Sequence, residues 1–387
     1  LAHRPANRKT GTGLRMGILS RLEICDFRNL EAVEVDPVPG MTLLVGNNGQ
    51  GKTSVLEAIH YLAFLRSFRT RHPIEMVRWG EPGFRLEGQV EPRNGSAFDR
   101  HQLAVRWGTD ERILRKDGNS IPAGAFVNSF MCVCLVPEDL QLVKGGPAFR
   151  RRFADMFLCQ VNRRYLRELV TYNRALEARN AMLKDPYRYG AKAVAGFDRV
   201  LAASGAFIID ERLRRLEALD KEFRTVFGGV FDDTLEAGMT YRSSVLRSGK
   251  RTTSASEVEE MFLAVLGREY ERDRERGVTR FGCHRDDFAL TLDGREAGAF
   301  ASEGQCRAIS VSLRLAAARM LAGLNSGNDI VLLVDDVCGE LDGERRARFF
   351  SELSVAAQTF LTCTAIPEEL RGESRILRVD RKSTRLN

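Results

Sequence analysis

The sequence contains no uninterrupted apolar run of about 18 residues, the length a helix needs to cross a bilayer, so no membrane span is expected. It has no Cys-x-x-Cys pair. Its eight cysteines (25, 132, 134, 159, 283, 306, 338 and 363) stand apart, mostly inside apolar stretches, and only five histidines are present to share a metal. This fits buried, reduced thiols in a cytoplasmic protein better than a zinc module or a disulfide framework. No internal repeat and no low-complexity block occurs. The first fifteen residues, LAHRPANRKTGTGLR, are basic and polar without an apolar core, so they are not read as a secretory signal. Met16 is the better start, and residues 1–15 are expected to be a non-native or disordered extension. Residues 381–387 show no periodic pattern and are left outside the fold.

Apolar and charged residues are not scarce. With 387 residues, 43% hydrophobic and 29% charged, the chain is ordinary for a soluble globular protein of two or three lobes. The formal charge of +7 suits a polyanionic partner but leaves DNA, RNA and acidic protein all open.

The most informative stretch is TLLVGNNGQGKTSVLEAIHYL, Thr42 to Leu62. An apolar run (Leu43, Leu44, Val45) stops at Gly46, a glycine-rich turn follows, and Lys52 and Thr53 open a segment with apolar residues at Val55, Leu56, Ile59 and Leu62. This is strand, loop, helix, matching G-x-x-x-x-G-K-[ST]. Glycines 46, 49 and 51 let successive N–H groups curl into one concavity, to which the helix adds its positive N-terminal end. The loop Gly46, Asn47, Asn48, Gly49, Gln50, Gly51, Lys52, Thr53 and Ser54 is therefore the expected ATP site. Lys52 would reach the β/γ oxygens and the Thr53 hydroxyl would ligate Mg²⁺.

From Leu19 to Val136 the pattern otherwise predicts strands: Phe84 to Val90, Gln102 to Trp107, a hairpin over Arg112 to Ile121 turning at Asp117-Gly118, and the apolar run Met131 to Val136. An antiparallel layer joined to a nucleotide-binding sheet is expected. Near Phe149 the texture becomes helical. Helices are predicted over Phe149 to Lys184, Ala193 to Phe227 and Glu257 to Arg274, forming an inserted lobe over residues 149–275 between ATPase halves at 16–148 and 276–380. Arg151, Arg152, Arg163, Arg164 and Arg167 could form a basic, DNA-contacting face of this lobe, or simply be solvated helix arginines.

A phosphate loop alone does not choose among kinases, GTPases, helicases and transporters. Ile330 to Val334 is an apolar strand ending in Asp335-Asp336, where Asp335 would hold the metal and Asp336 would orient or deprotonate a water. Upstream, Ser302, Glu303, Gly304 and Gln305 open a strong helical pattern (Ile309, Leu313, Ala316, Met320), which reads either as a second anion site or as an ordinary N-cap. A second phosphate site makes sense for one nucleotide only if it completes the site of another copy.

Ser-x-Gly-Gln between a phosphate loop and an acidic strand resembles the ABC ATPases, and the inserted lobe resembles their SMC-type branch. More narrowly, DFRNL (Asp26 to Leu30), GNNGQGKTSVLEAIHYL with RSFRT (Arg66 to Thr70), VPEDLQLVKGGPAFRRRF (Val136 to Phe153), GCHRDD (Gly282 to Asp287), SEGQCRAISVSLRLA and LLVDDVCGELD (Leu332 to Asp342) are similar to the bacterial RecF family. The resemblance implies an α/β ABC-type P-loop head, a mixed sheet with an antiparallel β layer, carrying a mainly helical second lobe. It further implies an ATP-dependent homodimer in which the Ser302 signature meets the partner's nucleotide and Asp342 crosses the interface. The family role implied is DNA repair: engaging gapped or junction DNA and helping RecO and RecR place RecA on SSB-coated strands, with slow hydrolysis. Gly339 departs from the serine usual in the family, and Thr362-Cys363-Thr364 stands where many ABC ATPases place a switch histidine. Glu138 reads as a γ-phosphate sensor or a helix N-terminal carboxylate, and His284 and Arg285 as part of a turn held by local hydrogen bonds. The competing readings, a subunit energising a membrane transporter or a structural protein with a decayed ATP site, lack the RecF-like blocks or the need for intact Lys52, Thr53, Asp335 and Ser302.

Overall fold

The computed structural model describes residues 17–92, 100–109, 111–185, 187–246, 254–324, 329–337, 343–372 and 374–379. Three sheets organise them. The first is antiparallel: β1 (Ile18–Phe27), β2 (Leu30–Val35), β4 (Gly83–Glu91), β5 (His101–Gly108), β6 (Arg112–Lys116) and β7 (Asn119–Ser120), in the order β2-β1-β4-β5-β6-β7. Asp117 and Gly118, with φ of 52° and 78°, turn the β6–β7 hairpin, since two left-handed residues match the twist of the flanking strands. The second sheet is wholly parallel: β3 (Gly40–Val45), β8 (Met131–Leu135), β12 (Ile330–Val334), β13 (Gln358–Cys363) and β14 (Ser374–Arg378), in the order β14-β3-β13-β12-β8. The antiparallel layer is thus a sheet of its own beside a parallel nucleotide-binding sheet.

The parallel strands are buried on both faces, and side chains of period two divide between two cores. Leu44, Val331, Leu333 and Phe360 pack with α1 (Lys52–Phe64) and the inner face of the antiparallel sheet. Leu43, Leu332, Val334 and Leu361 pack on the other side, toward the long helices. A central sheet covered on both faces explains why these strands read as continuous apolar runs.

The helical region comprises α4 (Pro147–Val161), α5 (Arg163–Leu183), α6 (Ala191–Val230) and α7 (Ala255–Arg276), with short α2 (Ala123–Phe126) and α3 (Leu140–Lys144) before it. The helix expected from Phe149 to Lys184 is two helices, because Asn162 leaves helical geometry (φ −143°) and its side chain accepts the Arg164 N–H as the N-cap of α5. After the insert come α8 (Ala297–Phe300), α9 (Glu303–Gly323) and α10 (Gly343–Leu353). The insert is not purely helical. Its strand β9 (Ala237–Arg242) pairs antiparallel with β10 (Asp287–Leu292), which also pairs β11 (Arg295–Glu296), so the third sheet ties the helical region to the strands that follow it.

A buried ionic knot reinforces that seam. Arg212 on α6 bonds Asp155 at 2.8 Å, Asp286 at 3.2 Å and the Cys283 carbonyl at 2.8 Å, while Asp286 also accepts the Ser244 N–H and the Tyr241 hydroxyl. Gly282 (φ +133°) sits so close to Tyr172 that a Cβ would stand 2.2 Å from its hydroxyl. The GCHRDD block is therefore a joint in the fold, and its histidine belongs to it. His284 Nε2 donates to the Thr279 carbonyl at 3.0 Å, which leaves Nδ1 to accept from the Tyr172 hydroxyl at 2.8 Å.

Burial holds the His284 pKa down to about 4, and it holds that of His60, which donates from α1 to the Arg66 carbonyl, down to about 3. An unfolded chain protonates histidine near pH ~6.5, so below that pH the unfolded state binds more protons and stability falls until the native rings also protonate. The expected loss is on the order of 2 kcal/mol for each histidine at pH ~5. Denaturant melts at several pH values check this. His284→Gln should lose less stability than the parent on acidification, and an equal loss would reject the role given to this ring.

Candidate functional site

At the carboxyl end of β3 the chain turns through the phosphate loop into α1. Two of its glycines are required by geometry. A Cβ on Gly46 would stand 2.5 Å from the Val379 carbonyl oxygen. Gly51 has φ +112°, and a Cβ there would meet Leu30 at 2.5 Å. Gly51 is the N-cap of α1 and no side chain caps the helix, so its positive end faces the cleft. Asn47, Asn48 and Gly49 are exposed along the loop and Gln50 is half-buried. Lys52 lies across the loop and donates from Nζ to the Gly46 and Asn47 carbonyls at 2.5 and 3.0 Å.

The β1–β2 turn braces this loop from behind. Asn29 donates to the Gly49 carbonyl at 3.2 Å and accepts the Ser54 hydroxyl at 2.8 Å. Arg28 grips the fully buried Glu57 of α1 through two bonds of 2.9 and 2.7 Å, and Arg69 stands 3.5 Å from the same carboxylate. DFRNL and RSFRT are therefore a clamp on the first turns of α1. Sequence alone matches these blocks without a role, because their partners lie outside the blocks, on α1 and the phosphate loop.

The acidic strand closes the other side. Asp335, 6% exposed, accepts from the Thr53 hydroxyl at 3.0 Å and from the Thr362 hydroxyl at 2.7 Å. The Thr362 oxygen in turn accepts the Asp336 N–H at 3.0 Å. Asp336 has φ 50°, a left-handed conformation that turns the chain sharply off β12. Burial pushes the Asp335 carboxyl up, and the two threonine hydroxyls oppose that shift. Partial desolvation and the Asp335 charge likewise raise Glu138, in the turn after β8. Thr362 is the residue sequence reading undervalued: it was noted for not being histidine, yet it ties the two aspartates together.

Lys52, Thr53, Asp335, Asp336 and Thr362 line one cleft of about 940 Å³, whose lining also includes Ile74 and Val77–Glu81. Among the described residues no group of three His, Cys, Asp or Glu is placed to hold a metal alone, so a cation here needs oxygens from phosphate and water as well. Thr53 and Asp335 supply hard oxygen donors suited to that arrangement.

The signature segment stands outside this cleft. Ser302 is the N-cap of α9, accepting from Gln305 N at 3.2 Å while Gln305 Oε1 accepts from Ser302 N at 2.8 Å, a capping box. Glu303 pairs with Arg307 at 3.0 Å. Ser302, Glu303 and Gly304 are exposed, and a Cβ on Gly304 would meet nothing within 4 Å. Asp342 lies outside the described residues.

The arginines read either as a basic face or as solvated helix residues do not share one environment. Arg151 donates to the Asp286 carbonyl and Arg152 to the Ser67 carbonyl, so both are partly buried structural ties. Arg163 and Arg164 are exposed on α5, with Arg164 paired to Glu168 at 3.2 Å and stacked over Phe207. The seven described cysteines form no disulfide, and six are buried. No helix among the described residues is long and apolar enough to cross a membrane.

The family model described as RecF/RecN/SMC N terminal domain matches residues 18–385. The DNA replication and repair protein RecF of Streptococcus pyogenes serotype M49 (strain NZ131) is 33% identical over 350 residues, covering 90% of this chain and 92% of that protein. The chain belongs to the RecF family. RecF of S. pyogenes serotype M1 is 32% identical over the same shares. A structure described as the recombination mediator protein RecF-ATP in the RecFOR pathway superposes with a TM-score of 0.87 at 26% identity, covering 97% of this chain and 99% of that one. The Smc head domain from Pyrococcus furiosus, at 13% identity and TM-score 0.56, shares the fold with this RecF-family chain.

Proposed function

We propose that this RecF-family chain is a MgATP-gated DNA-binding protein of recombinational repair and replication restart, working as an ATP-induced homodimer. The observation that carries this reading is the chain of contacts Thr53–Asp335–Thr362–Asp336, which joins the phosphate loop to two acids at the end of a buried strand. Residues Gly46 to Ser54 cradle the β- and γ-phosphates, with Lys52 exchanging its loop carbonyls for phosphate oxygens. Thr53 and Asp335 hold Mg²⁺, which neutralises phosphate charge, and Asp336 orients or deprotonates the attacking water.

Ser302, Glu303, Gly304 and Gln305 complete the nucleotide site of a second copy. The exposure of Ser302, Glu303 and Gly304, the segment's position outside its own cleft and the open space over Gly304 support that trans role, and Asp342 is assigned to the same interface. Residues 16–148 and 276–380 make the ATPase lobe around the insert at 149–275. Exposed Arg163, with Arg164, remains the insert's contribution to DNA phosphates. The relatives' descriptions, a DNA replication and repair protein and a recombination mediator in the RecFOR pathway, support a role in recombinational repair, to which the proposal adds gapped or junction DNA as the substrate and RecO and RecR as partners. Slow hydrolysis then resets the complex.

Lys52→Met tests the reading. Lys52 packs no apolar core, so the fold should persist while ATP binding, ATP-induced dimerisation and DNA retention are lost. Sedimentation with MgATP checks it, and unchanged dimerisation would reject the composite site.

A further inference from the structure

Trp79 is 97% exposed, although the fold gives a large indole no reason to stand in water. Its backbone is not loose. Arg28 N–H donates to the Met76 carbonyl at 2.7 Å, Val77 bridges Phe27, and Arg78 N–H donates to the Asp26 carbonyl at 2.8 Å. The Arg78 side chain is pinned to Asp26 and Glu81. Glu81 N–H then closes a turn onto the Arg78 carbonyl at 3.1 Å, with Gly80 at φ +90° supplying the left-handed position that a type II turn needs. A rigid turn thus presents the indole at the wall of the cleft that holds Lys52 and Thr53, and half-exposed Ile74 lines the same wall.

The cleft therefore joins two chemistries. One part offers a helix N-terminus, a lysine and a hydroxyl for a polyanion. The other offers a flat aromatic surface with aliphatic neighbours. A nucleoside triphosphate carries the matching pair, phosphates at one end and a flat base at the other. We propose that Trp79 is the nucleobase platform of this site, the base stacking on its indole and using Ile74 as a lateral wall. This inference rests on the nucleotide reading of the phosphate loop and assigns the part of the cleft that the loop leaves unexplained. Stacking selects for a base over none and does not itself tell adenine from guanine, since both present a π-face.

The experiment uses the full chain, whose two tryptophans are Trp79 and Trp107. Trp107 stacks on Phe84 in the antiparallel sheet, so Trp107→Phe leaves Trp79 as the sole indole reporter. MgATP is expected to quench its fluorescence at a chain concentration where sedimentation shows monomer, whereas magnesium tripolyphosphate, which has no base, binds calorimetrically without quenching. Trp79→Ala is expected to weaken MgATP binding about ten-fold, within the range for removing one base–aromatic stack, and to leave tripolyphosphate binding unchanged. Trp79→Phe should retain most of the affinity, and neither change touches the core. Unchanged MgATP affinity in Trp79→Ala would overturn the platform while leaving the phosphate site standing. Quenching that appears only at concentrations where the chain dimerises would overturn it too, giving Trp79 to the subunit contact. Failure of the parent to bind either ligand would remove the nucleotide site itself, and the platform with it.

Discussion

Asp336→Asn is expected to abolish ATP turnover and lengthen residence on DNA. The backbone at Asp336 is left-handed (φ 50°), and asparagine tolerates that region about as well as aspartate, so the substitution should not strain the chain. The N–H bond to Thr362 is a backbone contact and survives. On the role proposed for Asp336, the substitution would remove the basic carboxylate that acts on the attacking water, a loss that typically costs ~10² to 10⁴ in rate. ATP, Mg²⁺ and the partner signature should still assemble on the proposed reading, so the variant should accumulate as an ATP-bound dimer. Asp335→Asn should do the opposite. Asp335 is buried and accepts two hydroxyls, so an amide there would remove a charge from the proposed Mg²⁺ site and leave a poorer acceptor for Thr53 and Thr362. Mg²⁺-nucleotide binding and DNA residence should both fall. The measurement is dissociation from gapped DNA at fixed salt with MgATP. The same short residence for both variants would make Asp336 a second metal-site or structural acid.

Ser302→Arg should block dimerisation while sparing nucleotide binding in its own cleft, from which Ser302 is absent. Loss of the α9 cap costs about 1 kcal/mol, too little to unfold a chain of this size. Forcing a long side chain into a close-packed contact costs about 2–3 kcal/mol, roughly a 30- to 150-fold weaker dimer. Gly304→Ala, which enters open space in the single chain, separates the two effects, because it should leave melting unchanged yet weaken the dimer. Mixing Ser302→Arg with Lys52→Met should restore one composite site per pair, from the intact loop of one chain and the intact signature of the other. Dimerisation of Ser302→Arg equal to the parent, in sedimentation with MgATP, would count against trans assembly.

Elements with short-range causes were legible before the structure. Strand, loop and helix from Thr42 to Leu62 follow from an apolar run, glycines and a 3.6-residue repeat within 21 positions. Asp117-Gly118 specified a hairpin by its own backbone preference, and the strands read at Phe84 to Val90 and Gln102 to Trp107 fall within β4 and β5. The helix break at Asn162 is not legible in sequence, because its N-cap geometry hides inside the continuous helical pattern from Phe149 to Lys184.

The tertiary structure decided what depends on distant partners. Arg151 and Arg152 look like Arg163 in sequence, but their guanidiniums meet carbonyls of Asp286 and Ser67, 135 and 85 residues away, and so are tied down and partly buried. Thr362 acquires its place between the two aspartates only because β13 lies beside β12 in the parallel sheet. Trp79 joins the nucleotide cleft only because the turn carrying it is pinned to the β1–β2 turn that braces the phosphate loop. Local sequence determined the phosphate loop and the elements around it, since backbone preference and periodicity act over a few residues. Which arginines stay free, which hydroxyl links the acids and which indole faces the cleft were settled by packing, because a polar or aromatic group takes its role from the atoms that folding brings within reach.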